Sequence, residues 1–233
     1  MGRFVSSLEG KIISSEIRDK KVSFFVNQPH DVIQRHHASG NFYEIEEIDI
    51  ISSHFREGMT FLDIGANVGN HSIYVGLFLR PRKIIVVEPN PPAVAILQAN
   101  LALNGLQALV DVRGIGVGLS DHHDTASPET ALNNLGATKM KPATGEGAIS
   151  LIPGDQFIGN DQVDFIKLDV EGMEIQVLNG LAKTLDRCNP IIFIEVDNTN
   201  RRAFDSWISE NRYNIVANFR RYPSNENFLI VRR

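Results

Sequence analysis

The stretch Phe61-Leu62-Asp63-Ile64-Gly65-Ala66-Asn67-Val68-Gly69-Asn70 constrains the fold more than any other part of the chain. A short apolar run enters a glycine-containing loop, and a helical pattern follows over residues 72–79, ended by Arg80-Pro81. Such a strand–turn–helix unit belongs in an open parallel sheet, with its turn facing a ligand crevice beyond the carboxyl ends of the strands. The alternation continues downstream. Residues 83–87 form a continuous apolar run, as expected of a strand buried on both faces. Residues 91–103 read as a helix, with Val94, Leu97 and Leu101 apolar and a stop at Asn104-Gly105. Strands are expected at 109–113, 163–168 and 191–196, with one helix over 173–185 between the last two. Strand and helix in alternation argue for a parallel sheet covered by helices.

The C-terminus breaks the pattern. Residues 214–219 and 228–231 read as strands, and the Pro-Ser-Asn-containing link 220–227 leaves no room for a helix. They must pair as an antiparallel hairpin. A mostly parallel, seven-stranded sheet with helices on both faces and a reversed terminal hairpin is the shape of the Rossmann-like class I methyltransferase fold; an NAD-binding domain ends on parallel strands instead. On this reading residues 58–233 form the α/β domain and residues 1–57 an N-terminal extension that supplies part of its cofactor and substrate wall. Within the extension, 22–26 reads as a strand and Asp31 as the N-cap of a helix. The spacing of Ile45, Ile48, Ile51 and Phe55 predicts a helix over 44–55. Residues 114–162 are long for one connection and are expected to form a lid or substrate wall. An extra strand is expected there at 148–152, and flexible loops at Asn133-Asn134-Leu135-Gly136 and Lys141-Pro142-Ala143-Thr144-Gly145.

Lys and Arg total 23 against 28 Asp and Glu, a net charge of −5. A broad nucleic-acid surface needs the opposite balance, so the expected partner is a small-molecule or glycan acceptor. Association into a homo-oligomer stays open. The single cysteine, Cys188, leaves no intramolecular disulfide and reads as structural. No run reaches the ~18 apolar residues of a membrane span. Met1-Gly2-Arg3-Phe4-Val5 lacks a signal-peptide core, while Gly2 with Ser6 fits the loose N-myristoylation pattern. A cytoplasmic enzyme is the expectation.

The loop's chemistry narrows the ligand. Gly65 permits a tight turn, Asn67 suits a left-handed backbone position, and Gly69 lets the helix start pack closely. A dinucleotide prefers G-x-G-x-x-G and lays a pyrophosphate on the loop. Here Asn67 replaces the second glycine, and Asp63 would repel the phosphates; like charges at ~4 Å in an effective dielectric of 20 cost about 4 kcal/mol. S-adenosylmethionine carries an ammonium and a sulfonium instead, both compatible with carboxylates. Glu88, in Val86-Val87-Glu88-Pro89-Asn90, can accept two ribose hydroxyls, a feature NAD would use equally. Asn70, Asn90 and His71 complete the expected cofactor set, with His71 read either as a contact to the methionine end or as a helix cap.

Asp169-Val170-Glu171-Gly172-Met173-Glu174 follows the fourth strand. Asp169 and Glu171 are expected near the crevice as the catalytic pair, positioning a cation, holding a proton or binding a divalent metal. Glu174 reads as a first-turn residue favoured by the helix dipole. Glu195 and Asp197 end the fifth strand and either face substrate or not. The pairs His36-His37 and His122-His123 read as surface residues, and none of the seven histidines shows zinc spacing with cysteine, so no metal ligand set is assigned.

These motifs together resemble the FkbM family of S-adenosylmethionine-dependent methyltransferases. The likeness covers residues 40–197 in order: Asn41-Phe42-Tyr43-Glu44, the Asp63–Gly69 loop, Val87-Glu88-Pro89-Asn90-Pro91, the turn Gly118-Leu119-Ser120-Asp121, and Ile166-Lys167-Leu168-Asp169-Val170-Glu171-Gly172-Met173-Glu174. The resemblance implies a Rossmann-like fold, S-adenosylmethionine as donor and O-methylation of a sugar, glycolipid or natural-product hydroxyl. It implies cofactor roles for Asp63, Gly65, Asn67, Gly69 and Glu88, and places Glu44 and Asp169 in the cofactor pocket. The chain departs from the family at Ile152-Pro153-Gly154-Asp155, which stands where Thr-Leu-Asp is frequent, and at Asn70-His71, where an aromatic is frequent. The competing readings are an NAD-dependent oxidoreductase and a non-catalytic cofactor-binding module.

Overall fold

The N-terminal extension opens with a hairpin of which the sequence announces only the second strand. In this computed structural model, which describes residues 8–131, 134–145 and 147–233, β1 (Lys11–Ile17) pairs antiparallel with β2 (Lys20–Val26). The Gly2–Ser6 pattern and Asn133 lie outside the described residues. β1 is mostly exposed, whereas Val22, Phe24 and Val26 of β2 are buried. Two short helices follow, α1 (Gln34–Ala38) and α2 (Ile45–His54). Asp31 acts as a cap ahead of α1: its Oδ1 accepts the backbone N–H of Ile33 and of Gln34, each at 3.0 Å.

The main domain alternates as expected. Its elements are β3 (Thr60–Ile64), α3 (Asn70–Tyr74) continued by a π-helical turn (Val75–Leu79), β4 (Lys83–Glu88), α4 (Pro91–Leu103) and β5 (Val110–Ile115). The insertion contributes β6 (Val117–Ser120), β7 (Asp124–Ala131), β8 (Asn134–Pro142), β9 (Ile149–Pro153) and α5 (Gly154–Ile158). Then come β10 (Phe165–Leu168), α6 (Glu174–Gly180), α7 (Ala182–Cys188), β11 (Ile191–Asp197), α8 (Arg201–Glu210), β12 (Tyr213–Phe219) and β13 (Asn225–Arg232).

The large sheet has seven strands in the order β12-β13-β11-β10-β3-β4-β5. Only β13 runs against its neighbours; it enters between β11 and β12, so the terminal hairpin reverses one strand rather than two. Side chains alternate between two cores. Leu62, Ile85, Ile166 and Ile194 pack with Val177, Leu181 and Phe204 from α6–α8 on one face. Phe61, Ile84, Phe165 and Phe193 pack with Ile48, Ile73, Leu97 and β2 on the other. The helices therefore cover both faces. Asn100 and Asn104 of α4 complete the open edge of β2: Asn100 Oδ1 accepts the Phe25 N–H at 2.6 Å, and Asn104 Oδ1 accepts that of Ser23 at 3.0 Å.

Several expectations change. The helix over 173–185 is two, because Gly180 is pressed onto the β6 backbone; a Cβ there would lie 1.9 Å from the Ser120 carbonyl oxygen. The expected loops at 134–136 and 141–142 belong to β8, held by pairing with β7, and Gly118-Leu119-Ser120 is a strand parallel to β9 rather than a turn. The helix after the glycine loop starts at Asn70, two residues (72 − 70) ahead of expectation. His37 is fully buried, stacked on Phe24 at 4.1 Å between ring centroids, not on the surface. No described helix is long and apolar enough to cross a membrane.

Candidate active site

The loop after β3 is fixed by its neighbours' backbones. Gly65 and Ala66 donate their N–H groups to the Val87 carbonyl at 2.9 and 3.1 Å. Gly65 has φ +77°, and a Cβ there would sit 1.8 Å from the Asp169 carbonyl oxygen, so only glycine lets the β3 and β10 ends approach. Asn67 takes the expected left-handed conformation, φ 49°. Its N–H donates to Glu88 Oε2 at 2.7 Å, and the N–H of Asn90 to Oε1 at 2.8 Å. Burial raises the Glu88 carboxyl to about 7, although both N–H donors favour its ionised form.

Asp63 is not in the crevice. It is fully buried, accepts from Ser72 Oγ at 2.6 Å and lies 3.8 Å from Lys167 Nζ. Alternation along β3 turns it towards α3, on the Phe61 face. Burial pushes its carboxyl up, opposed by Lys167. Lys167, its cross-strand partner on β10, is the residue that sequence reasoning quoted but left without a role. Its ammonium donates to the Gly65 carbonyl at 2.9 Å and to Asp169 Oδ2 at 3.1 Å. Burial would lower its pKa, but Asp169, Asp63 and Glu44 outweigh that and hold it charged. A lysine two positions before a strand-end aspartate, level with an aspartate on the next strand, was the available signal.

Asp169, Glu171 and Glu195 bring carboxylate oxygens within 4.8 Å of one another. Burial, then the charge of Asp169, raises the carboxyls of Glu171 and Glu195. Glu44 is raised to about 8 by burial and Asp169. Glu44 and Glu171 both adopt left-handed backbone, φ 57° and 50°, conformations that non-glycine residues hold only when their surroundings enforce them. Asn225 Nδ2 holds Glu195 Oε1 at 2.8 Å. The three oxygens are a hard donor set of the kind divalent cations use, but Lys167 already pairs with one member.

Two adjoining pockets open above these groups, with about 590 and 970 Å³ of empty space. The smaller is largely apolar, walled by Val87, Leu119, Leu135, Met140 and Leu151, with Asn67 and Glu88 at its polar side. The larger holds Glu44, Asn70, His71, Lys167, Glu195 and Tyr222. Gly65, Asn67, Gly136, Asp169 and Glu171 line both. Of the expected site residues, Asp63, Gly69 and Asn90 line neither. Gly69 packs on α4, where a Cβ would meet Leu97 Cδ1 at 2.7 Å. Asn90 reaches the insertion through Thr138 Oγ1 at 3.0 Å. His71 is buried with an unpartnered Nε2, 3.7 Å from Glu44, its pKa lowered by burial. Asp197 bonds Thr199 and lines neither pocket. Tyr43 and Asn134 line the larger pocket from segments quoted in the sequence without that role, and Tyr222 and Asn225 were missed outright, because no local pattern marks them.

A parallel sheet with one strand reversed near its edge, and pockets over the ends of its central strands, is the architecture of the Rossmann-like methyltransferase fold. The family model for the methyltransferase FkbM domain matches residues 63–215. The chain belongs to the FkbM methyltransferase family. It is 26% identical over 152 residues to hexuronic acid methyltransferase AglP of Haloferax volcanii, covering 64% of this chain and 61% of that one. It is 29% identical over 156 residues to methyltransferase sdnD of Sordaria araneosa, covering 52% and 59%. The chain thus spans about three fifths of these relatives' lengths, 61% and 59%. Among solved structures, methyltransferase FkbM from Methylobacillus flagellatus KT superposes with a TM-score of 0.59 at 19% identity, over 76% of this chain and 44% of that one.

Proposed function

We propose that this protein transfers a methyl group from S-adenosylmethionine to a hydroxyl of a sugar, glycolipid or natural-product acceptor. The observation that carries the reading is the meeting of the two pockets at Asp169 and Glu171. The apolar pocket suits an adenine. Each oxygen of Glu88 accepts one backbone N–H and keeps a lone pair for a ribose hydroxyl. Glu44 suits the donor's ammonium, and the unpartnered His71 Nε2 and Asn67 Oδ1 offer further polar contacts. When bound, S-adenosylmethionine supplies an electrophilic methyl on a sulfonium.

The chain's own work is then positioning and proton removal. Asp169 or Glu171 accepts a hydrogen bond from the acceptor hydroxyl, orienting its oxygen for in-line attack, and takes the proton as the carbon–oxygen bond forms. Lys167 donates to Asp169 Oδ2 and fixes its direction. The N-terminal residue Tyr43 and the insertion residues Asn134, Gly136 and Ala137 act as acceptor walls. Asp169→Asn is expected to bind S-adenosylhomocysteine within about threefold of wild type while lowering kcat by about a hundredfold or more. Calorimetry and a labelled-methyl assay measure the two; wild-type turnover in this variant removes Asp169 from the reaction.

A further inference from the structure

The buried amide of Asn70 serves one residue. Asn70 opens α3 and is 4% exposed. Its Oδ1 accepts the backbone N–H of Tyr43 at 3.0 Å, and its Nδ2 donates to the Tyr43 carbonyl at 2.8 Å. The two bonds clamp both polar backbone groups of that residue and fix which end of the amide is oxygen. Oδ1 also lies 3.1 Å from Nε2 of His37, so that nitrogen must carry the proton and donate it. His37 is fully buried, stacked on Phe24, and its Nδ1 is left without a partner. Burial lowers its pKa to about 4, so the ring stays neutral.

The residue after Tyr43 is Glu44, held left-handed at φ 57° and ψ 48°. A non-glycine residue keeps that conformation only where its surroundings impose it, and the clamp on Tyr43 is one residue away. Among the described residues no hydrogen bond holds the Glu44 carboxyl itself; it lines the larger pocket, 3.7 Å from His71 Nε2. Its place there is therefore set through the backbone. We propose that Asn70, oriented by His37, is a positioning residue that sets Glu44 against the ammonium of the methyl donor. This rests on the methyl-transfer reading and deepens it. Asn70, which the sequence suggests as a direct cofactor contact, acts through Glu44, and His37, which the sequence suggests as a surface residue, belongs to the site.

The test uses the full chain and two thioethers. S-adenosylhomocysteine carries the amino-acid end; methylthioadenosine keeps the nucleoside and lacks it. In calorimetry at pH 8, Asn70→Ala is expected to weaken the first about tenfold or more and the second by no more than about twofold. In a Glu44→Gln background the same substitution should weaken binding little further, because the two residues act on one contact. His37→Phe keeps the ring stack, removes the donor and should give the same split at about threefold; it carries the test if Asn70→Ala does not fold. A merely structural tether weakens both ligands alike. That result, an unchanged affinity for S-adenosylhomocysteine, or losses that simply add to those of Glu44→Gln overturn the proposal. Failure of the wild-type chain to bind either thioether would instead sink the donor assignment, and this inference with it.

Discussion

The floor of the site and its cover are built on different principles. The floor is the carboxyl end of β3, β4 and β10, three adjacent parallel strands whose loops bond directly to one another. Gly65 N–H to Val87, Asn67 N–H to Glu88 and Lys167 to the Gly65 carbonyl leave little freedom. The cover comes from segments far apart in the chain: Tyr43–Glu44, the β8 start and the turn before β13. Side chains join them, among them Asp31 to the Leu135 N–H at 2.8 Å and the Arg221 guanidinium to Glu47 at 2.6 Å. A floor locked between adjacent strand ends tolerates little substitution. A cover held by long-range side-chain contacts can change its lining without unfolding the sheet, and the proposed function puts acceptor choice there.

The largest effect should come from Lys167→Met. It leaves Asp63 and Asp169 without their buried counter-charge, and breaking a buried ion pair costs about 3–5 kcal/mol. Denaturant unfolding at pH 8 measures it. The loss should shrink at pH 5, where the buried Asp63 carboxyl, already pushed up by burial, can take a proton; an undiminished loss would mean that packing, not charge, sets the role. Gly65→Ala should follow, at about 3 kcal/mol, because its Cβ would overlap the Asp169 carbonyl at 1.8 Å. It should also weaken S-adenosylhomocysteine about a hundredfold, since the displaced loop carries Asn67 and faces Glu88. Near-normal binding in this variant would show that the floor is less rigid than its hydrogen bonds imply.

The same contrast explains what the sequence could tell. Gly65, Asn67 and Gly69 were legible because each answers a local demand: a close approach, a left-handed turn, a helix packed on Leu97. Glu88 and Asp169 were legible as strand ends. Asp63 misled, because strand alternation aims it at Ser72 and away from the crevice. The ends of β8 were read as loops and β7 was left unassigned because Asp-Thr-Ala-Ser-Pro-Glu and Lys-Met-Lys-Pro lack an apolar alternation; the hairpin's order comes from β9 and from Asp31, more than a hundred positions from Leu135 in sequence (|i−j| = 104). Tyr222 and Asn225 reach the pocket only because β13 threads between β11 and β12.

Titration sharpens the comparison from the floor's side. Burial raises Glu88 to about 7 and Glu44 to about 8, from an ordinary 4.5. A folded carboxyl raised above its unfolded value stabilises fully below pH 4.5, and that contribution is lost as pH rises through 7 to 8. The ligand-free protein should therefore lose stability across that window. A cationic donor favours the ionised carboxyls, so S-adenosylmethionine binding at pH 7 should release about one proton, and S-adenosylhomocysteine less. Calorimetry in buffers of different ionisation enthalpy measures the difference. Equal release by both ligands would place the sulfonium away from these groups.

The smallest effect tests the cover. Asp31 is fully buried and accepts three backbone N–H groups, those of Ile33, Gln34 and Leu135. Asp31→Asn keeps one carbonyl oxygen for Ile33 and Gln34 but turns an amide NH2 towards the Leu135 N–H, and should cost about 1–2 kcal/mol. The sheet core does not depend on Asp31, so the damage should concentrate where it ties the N-terminal segment to β8. Amide exchange over residues 134–142 should quicken, and exchange in β3, β4 and β10 should hardly change. Leu135 also walls the apolar pocket, so S-adenosylhomocysteine should leave about three to ten times faster, with little change in its association rate. Uniform quickening across the sheet would mean that cover and floor unfold as one unit, and that the acceptor side is no freer to vary than the loop at Gly65.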